Sequence, residues 1–305
     1  MISGFIVIDK PAGITSHDVV SRVRRILGIR KVGHTGTLDP FATGVLPVAV
    51  NDGTKVIPFL DEGVKRYQAR MKLGIVTDTL DVTGRIVRQS DSSGTSKDAL
   101  ETAMNAFVGS ISQVPPMYSA IKRDGQPLYK LARQGQEIER EPRQVLIHTL
   151  ELLSFSSPWA DFAVTCSRGT YVRSLADDIG SRLGCGATLE GLRRTASGPF
   201  DISASVTLEQ LEQAVGDGAV EALVVTPHDA LNQLADIELK ESGFAKLKFG
   251  KAPQWEDTTS GCPSALCEGD LVRLSCNGSL VAVGQINISV DGGRHVTLKR
   301  VLVAV

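Results

Sequence analysis

The sequence predicts an α+β protein in two unequal parts, and three observations predict it. A chain of 305 residues is long for one domain, so a large domain beside a small one is the natural division. Up to residue 230, short apolar runs are interleaved with segments whose apolar residues recur at helical spacing. Beyond that point the pattern becomes strand, turn, strand, with Asn277-Gly278 and Asp291-Gly292-Gly293 set between apolar stretches. The predicted division is therefore 1–230 and 231–305.

Residues 4–9 form an apolar run suited to a buried strand. Ser16 is placed to cap the helix that follows. Val19, Val20, Val23, Ile26 and Leu27 fall on one face, and Gly28 is the stop. Arg22 and Arg25 lie three apart and share the exposed side. Segment 96–109 repeats the plan, with Ser96 or Thr95 as cap, a stripe of Leu100, Met104, Phe107 and Val108, and Gly109 as its end. The polar run from Gly84 to Ser96 reads as a surface loop. Phe162, Val164 and Cys166 alternate with smaller residues in a strand leading into Ser167–Ser174, and a helix near 174–183 closes at Gly184. In the last part, Leu271–Ser275 and Leu280–Val283 flank one turn, and Gln285–Val290 and Val296–Val303 flank the next. This meander has the strand spacing of a small barrel.

Composition bounds the function. Hydrophobic residues at 42% and charged residues at 22% describe a soluble globular protein with a substantial core. No apolar run approaches a membrane span and the amino terminus lacks a basic-then-apolar signal, so a cytoplasmic protein without membrane contact is expected. The five cysteines form no CxxC pair, which points to reduced thiols. Cys262 and Cys267 make at most half of a metal site, and Asp78 and Asp81 suit turn capping and ion pairing, so no metal is assigned. A net charge of −1 gives no global pull on nucleic acid. Locally, Arg22, Arg24, Arg25, Arg30 and Lys31 crowd together, Arg193 and Arg194 form a second patch, and acids gather between Glu209 and Glu221. Solvated helix faces and an RNA footprint both fit the first cluster, and its position just before Asp39 favours the footprint.

Residues 33–47, Gly-His-Thr-Gly-Thr-Leu-Asp-Pro-Phe-Ala-Thr-Gly-Val-Leu-Pro, set the single carboxylate of Asp39 in a loop of glycine, threonine and proline. Gly33, Gly36 and Gly44 permit backbone angles closed to other residues, and Pro40 fixes the chain just after the acid. Such a loop holds a carboxylate in one orientation and lets a ligand approach the main chain. The same residues also make an ordinary turn.

This stretch resembles the catalytic loop of the TruB-type tRNA pseudouridine synthases. Ile8-Asp9-Lys10-Pro11 resembles the family's amino-terminal motif, and Arg66-Tyr67 with Leu73-Gly74 and Thr77-Asp78-Thr79 its second. Pro115–Lys122 and Leu128–Arg133, then Ser167–Ser174 and Leu192-Arg193-Arg194-Thr195, follow in the family's order. Asn51-Asp52-Gly53-Thr54-Lys55 departs from the more usual Gly-x-Ala-Thr-Lys of bacterial relatives.

The resemblance implies a pseudouridine synthase fold with a mixed, mainly antiparallel central sheet and a small carboxy-terminal PUA-like β barrel that binds RNA. It implies conversion of uridine 55 in the T-arm of tRNA to pseudouridine, without cofactor or metal, by a monomer with no protein partner. Asp39 would be the catalytic carboxylate and Arg173 its ion-pair partner. Tyr67 would stack on the flipped uracil, Tyr171 and Leu192 would line the pocket, and His34 would fill the space left by the flipped bases. Lys10, like Lys55, would either touch phosphate or support the loop. Two other classes share parts of the pattern: the catalytic subunit of a guide-RNA particle, and a tRNA-binding or folding protein without chemistry.

Overall fold

In the computed structural model the residues described are 2–302 other than 62, 124, 262, 264 and 291, with Arg133 described by its main chain alone. The unbroken apolar run at the amino terminus becomes strand β1 (Gly4–Lys10), buried along nearly all its length. Helix α1 (Ser16–Leu27) ends on Gly28 in the left-handed region at φ 65°. Its cap is Thr15 rather than Ser16. The Thr15 hydroxyl oxygen accepts the Asp18 N–H at 3.1 Å, and the Asp18 carboxylate accepts the Thr15 N–H at 2.9 Å. Ser16, one residue on, turns inward and is buried.

Strands β2 (Val32–His34) and β3 (Thr43–Val50) bracket the Asp39 loop, and a short helix α2 (Gly53–Val56) follows. Asn51 takes φ 48°, an angle that Asn tolerates best after glycine, and its amide donates to the Ile2 carbonyl at 2.7 Å. The segment 51–55 thus opens on a left-handed turn. Next come β4 (Val64–Leu73), the hairpin of β5 (Ile75–Thr77) and β6 (Ile86–Gln89), α3 (Lys97–Asn105) and β7 (Gly109–Gln113). Ser96 caps α3. The helix stops short of Phe107 and Val108, and Val108 is exposed. Strand β6 lies inside the run expected to be loop. It is held by main-chain pairing to β5 with Ile86 and Val87 both exposed, so no burial alternation marks it.

The insert carrying β8 (Lys122–Arg123), β9 (Gln126–Pro127) and α4 (Leu128–Arg133) leads to β10 (Arg143–Ser156) and β11 (Trp159–Ser167). Helix α5 (Val172–Arg182), β12 (Ala187–Ser197), β13 (Phe200–Asp201), α6 (Leu208–Gly216), β14 (Val224–Val225) and α7 (Pro227–Ala230) complete the first part. The main sheet has ten strands in the order β14-β1-β3-β12-β4-β11-β10-β7, with β2 added to β3 and β13 to β12. Its pairings among the described residues are antiparallel except β12 against β3, so the sheet is mixed and mainly antiparallel, as expected. Ile6, Ile8, Ala69 and Met71 of the sheet pack with Val19 and Val23 of α1, and with buried residues of α3 and α5, in the principal core.

The last part contains β15 (Ala235–Glu238), α8 (Glu241–Lys248), β16 (Leu271–Cys276), β17 (Ser279–Ile288) and β18 (Arg294–Val301). Asn277 and Gly278, at φ 53° and 72°, make the predicted tight hairpin between β16 and β17. Its four strands lie in sequence order, and β15 and β18 do not pair among the described residues. The sheet is therefore open where a closed barrel was expected, since four strands would enclose no room for interior side chains. Asp291 in the second turn, Cys262 and residues 303–305 lie outside the described residues. Cys166, Cys185 and Cys276 are buried free thiols and Cys267 an exposed one. Phe5, Val7, Val45 and Ala49 form a further cluster with Phe200, Leu231, Val283 and Leu302, which fastens the last sheet to β1 and β3. No helix among the described residues is long and apolar enough to cross a membrane.

Candidate active site

The Asp39 loop is held from below by three side chains. The Lys10 ammonium, 0% exposed, donates to the carbonyls of Pro11 at 2.8 Å, Pro40 at 3.1 Å and Ala42 at 2.7 Å. All three of its protons are directed at these carbonyls, an arrangement that supports the loop main chain. Burial lowers its pKa to about 8, with Asp39 acting in the other direction. The Ser16 hydroxyl accepts the Leu38 N–H at 2.8 Å and donates to the Leu38 carbonyl at 3.1 Å. Arg194, also 0% exposed, donates to the carbonyls of Val45 at 2.7 Å, Gly36 at 3.1 Å and Thr37 at 3.5 Å.

From above, Arg173 grips the carboxylate. Its Nη2 donates to Asp39 Oδ1 at 3.2 Å, while Nε approaches Oδ2 at 2.9 Å as an ion-pair contact off the hydrogen-bond axis. The guanidinium is 3% exposed and the Asp39 side chain 31% exposed, so the acid alone faces outward. Arg173 is fixed in turn by the carbonyls of Thr79 at 3.0 Å and Tyr118 at 2.7 Å, and by the buried carboxylate of Asp81 at 3.3 Å. Burial pushes the Asp39 carboxyl above its ordinary value and Arg173 pulls it back, with Asp81 adding to the rise. Asp81 also accepts from Thr79 at 2.8 Å, and Asp78 pairs with Arg85 at 3.1 Å, so these two acids do cap turns and form ion pairs.

Tyr171 and Arg173 do not lie on the strand that leads toward them. Strand β11 ends at Ser167; Tyr171 is the N-cap of α5 and Arg173 lies in its first turn. Tyr171 is positioned by buried Gln113, whose Oε1 accepts the Tyr171 N–H at 2.8 Å and whose Nε2 donates to its carbonyl at 3.1 Å. Tyr67, 8% exposed, projects from β4 on the face shared with Ala69, directly across from Arg194 of β12. Burial raises the phenol's pKa, and the Arg194 charge opposes that rise. His34, at the end of β2, is half-buried, and its Nδ1 has no hydrogen-bond partner among the described residues. Desolvation, then the charges of Arg194, His17 and Lys65, lower its pKa, so the imidazole is neutral at pH 7.

Leu192 is half-buried opposite Ala69 and lines a cleft of about 540 Å³ with Phe41, Thr43, Arg70 and Arg193. Asp39 is not in that wall, so the cleft adjoins the acid rather than containing it. Ser16, Gln113 and Arg194 are the positioning residues that sequence reasoning missed; each acts on a partner far along the chain.

Two family models cover the site. The TruB family pseudouridylate synthase amino-terminal domain matches residues 24–172, and the tRNA pseudouridylate synthase B carboxy-terminal domain matches 173–233. The tRNA pseudouridine synthase B of Geotalea uraniireducens is 52% identical over 290 residues, 95% of this chain and 94% of that one. The chain belongs to the TruB family. The Geobacter sulfurreducens tRNA pseudouridine synthase B is 49% identical over 92% of this chain and 93% of its own. Among solved structures, a chain of a Cbf5–Nop10–Gar1 complex is 30% identical with a TM-score of 0.75, covering 98% of this chain and 84% of that one. The TruB member described here thus has the pseudouridine synthase fold and is an isomerase of that class.

Proposed function

We propose that the protein isomerises uridine 55 in the T-arm of tRNA to pseudouridine, with Asp39 as the essential carboxylate. The observation that carries the assignment is the Arg173–Asp39 pair: a buried guanidinium holding an outward-facing acid in a loop whose main chain is pinned on both sides. The reaction breaks the N1–C1′ bond, turns the freed uracil and joins C5 to C1′, with the proton lost from C5 balanced by one gained at N1. It needs no redox change and no phosphoryl transfer. It needs an ionised carboxylate beside sugar and base in a poorly solvated pocket. A uridine inside a folded arm must leave its stack to get there. Tyr67 and Tyr171 would offer aromatic surface near the acid, Leu192 an apolar wall, and the neutral ring of His34 a wedge for the vacated space.

Residues 1–230 would form the catalytic unit and 231–305 a PUA-like RNA-binding unit, in a cytoplasmic monomer. Near-complete coverage by relatives named tRNA pseudouridine synthase B, at 52% and 49% identity, favours stand-alone action over the multi-protein setting of the 30% identical Cbf5–Nop10–Gar1 neighbour. The test is tritium release from C5-labelled uridine in an unmodified tRNA transcript, without guide RNA or added metal. Wild type should release tritium. Asp39→Asn should release none yet bind the transcript with unchanged affinity, because phosphate contacts do not depend on one acid. Binding lost together with activity would refute the role given to Asp39.

A further inference from the structure

Arg194 heads the largest fully buried side chains of the protein, and no ion pair among the described residues includes it. A guanidinium taken out of water without an acid is costly. The carbonyls of Gly36, Thr37 and Val45 account for its hydrogen bonds, but neutral donors would satisfy carbonyls equally well. The charge itself needs a reason.

Its surroundings supply one. Arg194 lies directly across the β4–β12 pairing from Tyr67, and its charge acts on the phenol. Its charge also depresses the basicity of His34 and Lys10. Around the loop, the buried cations are Lys10, Arg173 and Arg194, and the facing acids are Asp39 and Asp81. Lys10, with a pKa of about 8, stays charged at pH 7. The site is therefore one positive charge in excess, and Arg194, like Lys10, forms no ion pair among the described residues. In the isomerisation proposed above, the N1–C1′ bond breaks with its electron pair staying on uracil, so the detached base is most anionic while it is turning.

We infer that Arg194 is a positioning residue of the reaction: it fixes the loop main chain on both sides of Asp39 and, through Tyr67, sets an uncompensated positive charge against the detached uracil. The inference rests on the proposed function. A preorganised charge of this kind lowers the barrier to bond cleavage without strengthening ground-state binding.

The test compares Arg194→Gln and Arg194→Lys with wild type by single-turnover tritium release at saturating tRNA transcript, alongside the dissociation constant of the transcript and thermal melting. The Gln protein should be slower by about 100-fold or more with affinity changed by less than about threefold, and Lys should recover at least about tenfold of the rate. Equal rates for folded Lys and Gln proteins, or a loss of affinity matching the loss of rate, would overturn the inference. If the Gln protein does not fold, Arg194→Lys and Tyr67→Phe are combined. Non-additive losses support action through Tyr67, and additive losses refute it. No release by wild type would count against the proposed function itself, not against this role.

Discussion

Arg173 faces two acids at once, and the order of strengths at that point decides how the site responds to pH. Burial favours a protonated Asp39, the guanidinium favours the carboxylate, and the net result is a raised pKa. Chemistry that requires the carboxylate should therefore fail, as pH falls, at a higher pH than an ordinary aspartate would set. Arg173→Lys keeps a charge but loses the two-pronged grip and the tie to Thr79 and Tyr118. We expect its kcat/KM to fall by about 100-fold, roughly 2.7 kcal/mol, with the acid limb displaced further upward. A pH–rate profile of both proteins checks this, and an unmoved acid limb would contradict it. Asp39, Tyr67 and Arg173 were legible in the sequence because each sits in a recognisable motif. Ser16 and Gln113 were not. Their partners lie 22 and 58 residues away, and nothing local distinguishes a serine that caps a helix from one that turns under a loop.

At the level of elements, the loop depends on how closely β3 and β12 approach. Gly44 has φ 100°, and a Cβ there would stand 2.1 Å from the Arg194 carbonyl oxygen. Gly44→Ala should therefore cost about 3 kcal/mol or more, from strain at positive φ plus a main-chain clash. Thermal melting measures the loss, and a shift within error of wild type would show that the two strands part easily. The apolar run of β1, the helical stripe of α1, the alternation of β11 and the Asn277-Gly278 turn were all legible, although the cap of α1 was placed one residue late. Prediction failed where burial imposed none. Strand β6 pairs by its backbone while presenting Ile86 and Val87 to solvent. The helix expected near 174–183 begins earlier, since the backbone turns into α5 at Val172.

Across the whole molecule, the two larger sheets fall on either side of residue 230, yet apolar packing crosses that point. Val283 and Leu302 belong to the cluster that covers Phe5, Val7 and Val45, and the Phe5 and Phe200 rings lie 5.2 Å apart inside it. Sequence patterning marks which residues are apolar without saying which sheet they will meet, so this seam was invisible beforehand. A fragment ending at residue 230 would expose that cluster. It should melt at least about 10 °C below the full chain or aggregate, consistent with about 25 cal/mol lost per Å² of apolar surface uncovered. Calorimetry on the two proteins decides; a fragment as stable as the full chain would mean the seam contributes little.

The grip of Arg173 on Asp39 spans 134 residues of chain, and that of Arg194 on Val45 spans 149. During synthesis the glycine-rich loop emerges early, while the arginines that shape it are still unmade. For most of translation the nascent chain thus carries the carboxylate proposed for catalysis on an unanchored segment, where the proposed chemistry has no site. Competence should appear late and abruptly, when β12 closes onto β3, so that a growing polypeptide does not act on the tRNAs crowding the ribosome that makes it.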